Sequence, residues 1–170
     1  MHQLILLRHA KAVPDAGGAD HERALTDQGR RAAETVGRRM REAGLIPDVV
    51  LVSSARRTQQ TLEGLQNAGL WDDWPNVDTL PGLYMAGIAQ LIDFARAIPE
   101  TVRSALIIGH NPGLHELALK LAGPASGAAQ ARLANDYPTA ALAEFMIPTA
   151  WRSLGAGASL QRFLQPLDIG

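Results

Sequence analysis

Two histidines and three arginines stand directly after apolar runs in this chain. Arg8 and His9 follow Leu4-Ile5-Leu6-Leu7, and Arg56 and Arg57 follow Val49-Val50-Leu51-Val52 with its Ser53-Ser54-Ala55 tip. His110 follows Ala105-Leu106-Ile107-Ile108 and Gly109. Guanidinium groups match phosphoryl oxygens two at a time, and a neutral imidazole is a nucleophile at neutral pH. Gathered in one place, these side chains would bind a phosphate dianion and take its phosphoryl group onto a ring nitrogen. That imidazole needs one free nitrogen, with the other fixed by a carbonyl or carboxylate that the sequence does not reveal. Helix starts after Ser54 and Asn111 would add partial positive charge.

Parallel strands would gather these groups. Each apolar run reads as a strand covered on both faces, and in an open α/β sheet ligands bind beyond the carboxyl ends of the strands. Val13 to Ala24 reads as a loop, with Thr26 capping a helix whose inner face is Ala33, Val36, Met40 and Ala43, stopped by Gly44 and Pro47. A second helix runs from Ala55 to Ala68 with Thr58, Leu62 and Leu65 inside, and Gly69 closes it. A surface excursion at Trp71 and Trp74 leads to a short strand at Val77 to Leu80. Ile88, Leu91, Ile92, Ala95 and Ile98 mark another helix, and one more starts near Pro112 with Leu114, Leu117, Ala118 and Leu121 inside. The stretch from Gly123 to Asp136 reads as partly helical, and Leu142 to Ile147, Trp151 to Leu154 and Leu160 to Leu164 as strands at an antiparallel end of the sheet. The expected fold is α/β: a single domain over residues 1–170, with a mostly parallel central sheet and helices on both faces.

Composition narrows the functions. With 170 residues, 46% of them apolar, the chain can bury one core and is expected to carry one active site. Sixteen Lys and Arg against 17 Asp and Glu leave a net charge of -1, so there is no overall positive field to draw in nucleic acid or an anionic membrane. The absence of cysteine excludes disulfides, thiolate zinc sites and a Cys nucleophile. No apolar stretch reaches the roughly 20 residues of a spanning helix, so a soluble, cytoplasmic protein is expected. His110 and His115 are five apart rather than the four that pair on one helical face, and no phosphate-loop Lys motif is present. Gly155-Ala156-Gly157 reads as a turn. No metal and no cofactor are therefore expected. His2, His21 and His115 read as structural or exposed, with His21 near the entrance of any pocket behind His9.

Four motifs carry a resemblance: Leu7-Arg8-His9-Ala10; Arg23-Ala24-Leu25-Thr26 with Gly29; Ser53-Ser54-Ala55-Arg56-Arg57-Thr58-Gln59-Gln60-Thr61; and Gly109-His110-Asn111-Pro112. In this order, covering the chain to about Leu121, they resemble the histidine phosphatase superfamily, the group that contains the phosphoglycerate mutases. The short chain and the second motif are most similar to its bacterial SixA-type phosphohistidine phosphatases. The resemblance implies a phosphoglycerate mutase-like fold, with His9 as nucleophile, Arg8 and Arg57 binding phosphoryl oxygens and His110 completing the pocket; as an imidazolium, His110 would share with the two arginines the positive charge that magnesium supplies in other phosphoryl transfers. Counting back from Thr61 favours Arg57 over Arg56. Arg23 matches a further substrate-contacting arginine, and Asn111 joins the substrate-binding set. Ala10 stands where the family usually has Gly.

The implied partner is a phosphorylated substrate, in this branch a phosphohistidine-bearing signalling protein. The alternatives are a phosphatase or mutase of small phosphoesters and a non-catalytic phosphate-binding module. Members that cleave phosphoesters commonly place a Glu or Asp after the third strand, to protonate the departing alkoxide. Leu80 to Gly87, the corresponding stretch, holds no carboxylate. That absence favours a phosphohistidine or another phosphoramidate, with Asp15, Asp20 and Glu22 as the nearby carboxylates that would otherwise supply the proton.

Overall fold

In the first strand, β1 (His2–Arg8), side chains alternate between two cores: Leu4 and Leu6 enter one, Ile5 and Leu7 the other, and all four are fully buried. A strand covered on both faces needs no polar residue at either phase, which is why the run reads as uninterrupted. The computed structural model describes residues 1–15, 17–124 and 127–166. Its sheet has six strands in the order β3-β2-β4-β1-β5-β6. β2 (Val49–Ser53), β3 (Asn76–Leu80) and β4 (Ser104–Gly109) run parallel to β1, whereas β5 (Leu142–Ile147) pairs antiparallel with β1 and β6 (Ser159–Leu164) antiparallel with β5.

Helices cover both faces, as expected. On one side α1 (Asp27–Glu42) contributes Ala33, Val36 and Met40, and α2 (Arg56–Asn67) contributes Leu62 and Leu65. On the other, α3 (Ile88–Arg96), α4 (Gly113–Ala122) and α5 (Ala128–Asn135) bury Leu91, Ile92, Leu114, Leu117, Leu121 and Leu133. No helix among the described residues is long and apolar enough to cross a membrane.

Three local expectations are corrected. Trp151 to Leu154 is not a strand: Trp151–Ser153 form a 3-10 turn. Residues three apart eclipse one another in that geometry, so Trp151 and Leu154 are both buried, while the Trp151 indole donates to the Val102 carbonyl at 2.8 Å. Ala43 is the exposed C-cap of α1 rather than part of its inner face. The loop after His9 contains a 3-10 turn at Asp20–Glu22; α4 starts at Gly113, next to Pro112 as expected, with Pro112 as its N-cap. Within the partly helical stretch, Ala125 and Ser126 lie outside the described residues.

Candidate active site

β2, β4 and β1 are adjacent and parallel, so their carboxyl ends meet at one edge of the sheet. A cavity of about 270 Å³ opens there, lined by Arg8, His9, Lys11, Ala12, Asp20, Arg23, Arg57, Met85, His110, Asn111 and Thr139. Every residue in the expected site thus borders one space. The reversed direction of β5 brings the segment before it, with Tyr137 and Thr139, to the same edge.

His9 is 7% exposed, and its Nδ1 donates to the carbonyl of the next residue, Ala10, at 2.7 Å. Its Nε2 accepts from Arg57 Nε at 3.3 Å. The two contacts define a neutral ring with a lone pair facing the cavity, the form a nucleophile requires. Burial first, then the neighbouring guanidinium groups, push the His9 imidazole down to about 4 against the hydrogen bond to Ala10. The Ala10 N–H is held by Thr61 Oγ1 at 3.0 Å, and that hydroxyl donates to the Arg57 carbonyl at 2.7 Å. One threonine therefore ties the nucleophile's strand end to the first turn of α2.

Arg57 is 2% exposed whereas Arg56 faces solvent. On α2 the buried stripe is Arg57, Thr58, Thr61, Leu62 and Leu65, and one residue earlier lies about 100° around the helix. Besides His9, Arg57 reaches His110 Nδ1 at 3.3 Å, the Asp20 carbonyl at 2.9 Å and Asp20 Oδ2 at 3.1 Å. His110 Nε2 lies 2.8 Å from Ser53 Oγ. With Nδ1 accepting from a guanidinium, His110 is neutral here, and burial, followed by His9 and Arg57, pushes it down to about 3. His110 is therefore neutral rather than the expected imidazolium, and the positive charge lining this pocket comes from Arg8, Lys11, Arg23 and Arg57.

Arg8 Nη1 and Asn111 Nδ2 both donate to the Tyr137 carbonyl, at 3.1 and 2.8 Å. The buried Tyr137 hydroxyl donates to the Leu6 carbonyl at 2.6 Å, which fixes that acceptor's segment against β1. Among the described residues Arg8 Nε is buried with no hydrogen-bond partner, a donor that suits an arriving anion.

The loop after β1 forms the opposite wall. Arg23 Nη1 donates to the Val13 carbonyl at 2.8 Å and its Nε to Asp20 Oδ1 at 2.9 Å. Thr26 accepts from Gly29 N at 2.9 Å to cap α1, and Gly29 has no alternative there, since a Cβ would lie 2.1 Å from the Lys11 carbonyl oxygen.

Of the three nearby carboxylates only Asp20 lines the cavity; Asp15 caps Gly17 N and Glu22 pairs with His21. The Tyr84 hydroxyl, then Arg23 and Arg57, hold the Asp20 carboxyl well below the usual carboxylate range, and the same bond raises the Tyr84 hydroxyl. The Tyr84 ring meets His21 edge-on at 4.9 Å and His110 at 5.4 Å between centroids. His21, bonded to Ser54 Oγ at 2.9 Å, buttresses Tyr84 rather than lining the cavity. Sequence reasoning missed Lys11, Ala12, Met85 and Thr139 in the cavity lining, and Tyr84 beside it. The stretch that holds Tyr84 and Met85 was read for the carboxylate it lacks, and a tyrosine in a loop carries no signal of its own. His2 and His115 are structural, their rings bonded to backbone carbonyls of Thr149, Glu100 and Leu133.

These ionisations fix a pH profile. In the free enzyme kcat/KM should stay insensitive to His9 from pH 7 downward and fall only as pH drops through about 4, where the nucleophile protonates. An ordinary His would lose its lone pair near 6.5. A pH–rate profile with an aryl phosphate, corrected for the substrate's own ionisation, measures this; an acid limb near 6.5 would mean a solvated His9.

Residues 4–83 match the sequence profile described as histidine phosphatase superfamily (branch 1). An uncharacterized protein of Mycobacterium tuberculosis is 30% identical over 155 residues, 90% of this chain and 94% of that protein. A solved structure of a protein proposed to be the phosphohistidine phosphatase SixA of Nakamurella multipartitia is 31% identical, with a TM-score of 0.85 over 98% of this chain and 96% of that one. A second, with the same proposed assignment from Agrobacterium tumefaciens, is 27% identical, with a TM-score of 0.81 over 97% and 98% of the two chains. Sheet order, the strand-end histidines and these likenesses agree: the chain belongs to the histidine phosphatase superfamily and is a phosphatase.

Proposed function

We propose that the enzyme hydrolyses phosphohistidine, or another phosphoramidate, through a phosphoryl group carried on His9. The His9 Nε2 lone pair attacks phosphorus, the bond from phosphorus to the leaving nitrogen breaks, and water then releases phosphate from the phosphoimidazole. Arg8 and Arg57 take the phosphoryl oxygens, with His110, Asn111 and Arg23 completing the substrate-binding set. The arginines supply the positive charge that metal ions supply in other phosphoryl transfers. The Asp20 side chain is 41% exposed at the cavity mouth, so a histidine projecting from a protein surface has room to enter. A phosphohistidine-bearing signalling protein in the cytoplasm is the partner this reading favours, and the likeness to proteins proposed to be SixA supports it.

One observation carries the substrate class. The carboxylate that lines the cavity, Asp20, is held ionised by three donors and has no proton to give. An alkoxide would therefore leave unassisted, whereas a phosphoimidazole protonated at its other ring nitrogen expels a neutral imidazole. General-acid assistance contributes about 100- to 10,000-fold, so kcat/KM for a phosphohistidine peptide should exceed that for an alkyl phosphate by on the order of 1,000-fold. An aryl phosphate with a good leaving group should fall between. Comparing the three substrates tests the proposal, and efficient alkyl-ester hydrolysis would establish a phosphoester phosphatase instead.

A further inference from the structure

We infer that the Asp20 carboxylate accepts the N–H of the leaving group, binding the protonated ring of a phosphohistidine and selecting it over phosphate esters. This rests on the phosphohistidine reading above and assigns its specificity to one side chain. Asp20 is an anion in a cavity otherwise lined by Arg8, Lys11, Arg23 and Arg57 among its charged groups. Facing an incoming phosphoryl dianion, a carboxylate is unfavourable unless the substrate also brings a proton donor to it.

The geometry supplies such an acceptor. An ionised carboxylate has about four lone-pair positions, and three donors occupy Asp20: the Tyr84 hydroxyl, Arg23 Nε at 2.9 Å and Arg57 Nη2 at 3.1 Å. Among the described residues one position is left, on a side chain that is 41% exposed at the cavity. The same Arg57 guanidinium touches His9 Nε2 through its Nε, at 3.3 Å, and Asp20 Oδ2 through Nη2. A single rigid plane thus fixes where the acceptor lies relative to the nucleophile. Tyr84 donates to the same Oδ2 and is itself braced by His21 and His110.

The chemistry matches that placement. A neutral phosphoimidazole has no N–H, so its departure requires a proton on the second ring nitrogen, which creates both a cation and a donor. His9 Nε2 forms its bond to phosphorus with its own lone pair, and the electrons of the breaking phosphorus–nitrogen bond return to the leaving ring. That ring departs neutral, with its proton still on the second nitrogen and hydrogen-bonded to Asp20. Asp20 remains a carboxylate throughout and acts neither as acid nor as base. An ester oxygen offers no comparable N–H.

The test compares wild type with Asp20→Asn on a phosphohistidine peptide and on an aryl phosphate at pH 7. A lost hydrogen bond between charged partners should lower kcat/KM for the phosphohistidine peptide by on the order of 30-fold. The aryl ester makes no such contact, so the ratio of the two kcat/KM values should fall about tenfold or more. Equal losses on both substrates would overturn the inference, showing that Asp20 only positions Arg57. An undiminished rate on phosphohistidine would overturn it too, as would a selective loss on esters, which would make Asp20 a general acid. If wild type itself fails on phosphohistidine, the substrate reading falls and takes this inference with it; equal losses or an undiminished rate leave that reading standing, whereas a selective loss on esters would overturn both.

Discussion

His9→Ala should reduce turnover of every substrate by on the order of 10,000-fold or more, the scale on which loss of a nucleophile acts. The variant should also fail to retain label from a phosphorylated substrate. In the wild type that label should be lost on acid treatment, because a phosphoimidazole is acid-labile, and should survive alkali. The ring is neutral, its Nδ1 committed to Ala10 and its Nε2 held at the cavity by Arg57 Nε, while the ring of His110 is tied to Ser53 on one side and Arg57 on the other. Quench-flow labelling with circular dichroism as a folding control measures this. Wild-type turnover in the variant would falsify the covalent route.

Arg57→Ala should cost about 100- to 1,000-fold in kcat/KM, comparable to removing a preorganised donor from a developing oxyanion. Arg56→Ala, at an exposed position one residue earlier, should stay near wild type. Arg57→Lys should not restore activity. One ammonium cannot reach His9, His110 and both Asp20 acceptors as the planar guanidinium does. Steady-state kinetics on the three variants decides the matter, and equal losses at 56 and 57 would place the phosphoryl contact elsewhere.

Much of this site was legible because its carriers follow strands buried on both faces. Leu4 to Leu7, Val49 to Val52 and Ala105 to Ile108 show no polar interruption, and each hands its polar tip to the same edge. The choice of Arg57 over Arg56 came from motif spacing, and the buried stripe of α2 gives its physical reason. The partner of His9 Nδ1 was hidden because it is a backbone carbonyl, which any residue at position 10 would present. Asp20 and Tyr84 are 64 residues apart and meet only once the loop after β1 folds over the segment after β3. The charge of His110 depends on burial, a property of the assembled pocket rather than of the motif. Trp151 to Leu154 misled because both ends are apolar, and a single 3-10 turn buries such a pair as well as a strand does.

β1 is the earliest strand in the chain, yet both of its neighbours are made late: Leu4 pairs with Ala105 on one side and Phe145 on the other. At roughly 5–20 residues per second, a ribosome needs roughly 5–20 s to progress from β1 to β4. Throughout that interval four consecutive large aliphatic residues, Leu4 to Leu7, have neither of their native strand partners. An unpaired apolar strand is a template for aggregation. Shielding of Leu4 to Leu7 until β4 is available is therefore expected to favour productive folding. A chain truncated before β4 lacks His110 and Asn111 from the cavity and both strand partners of β1, so it carries the nucleophile but cannot assemble the pocket around it.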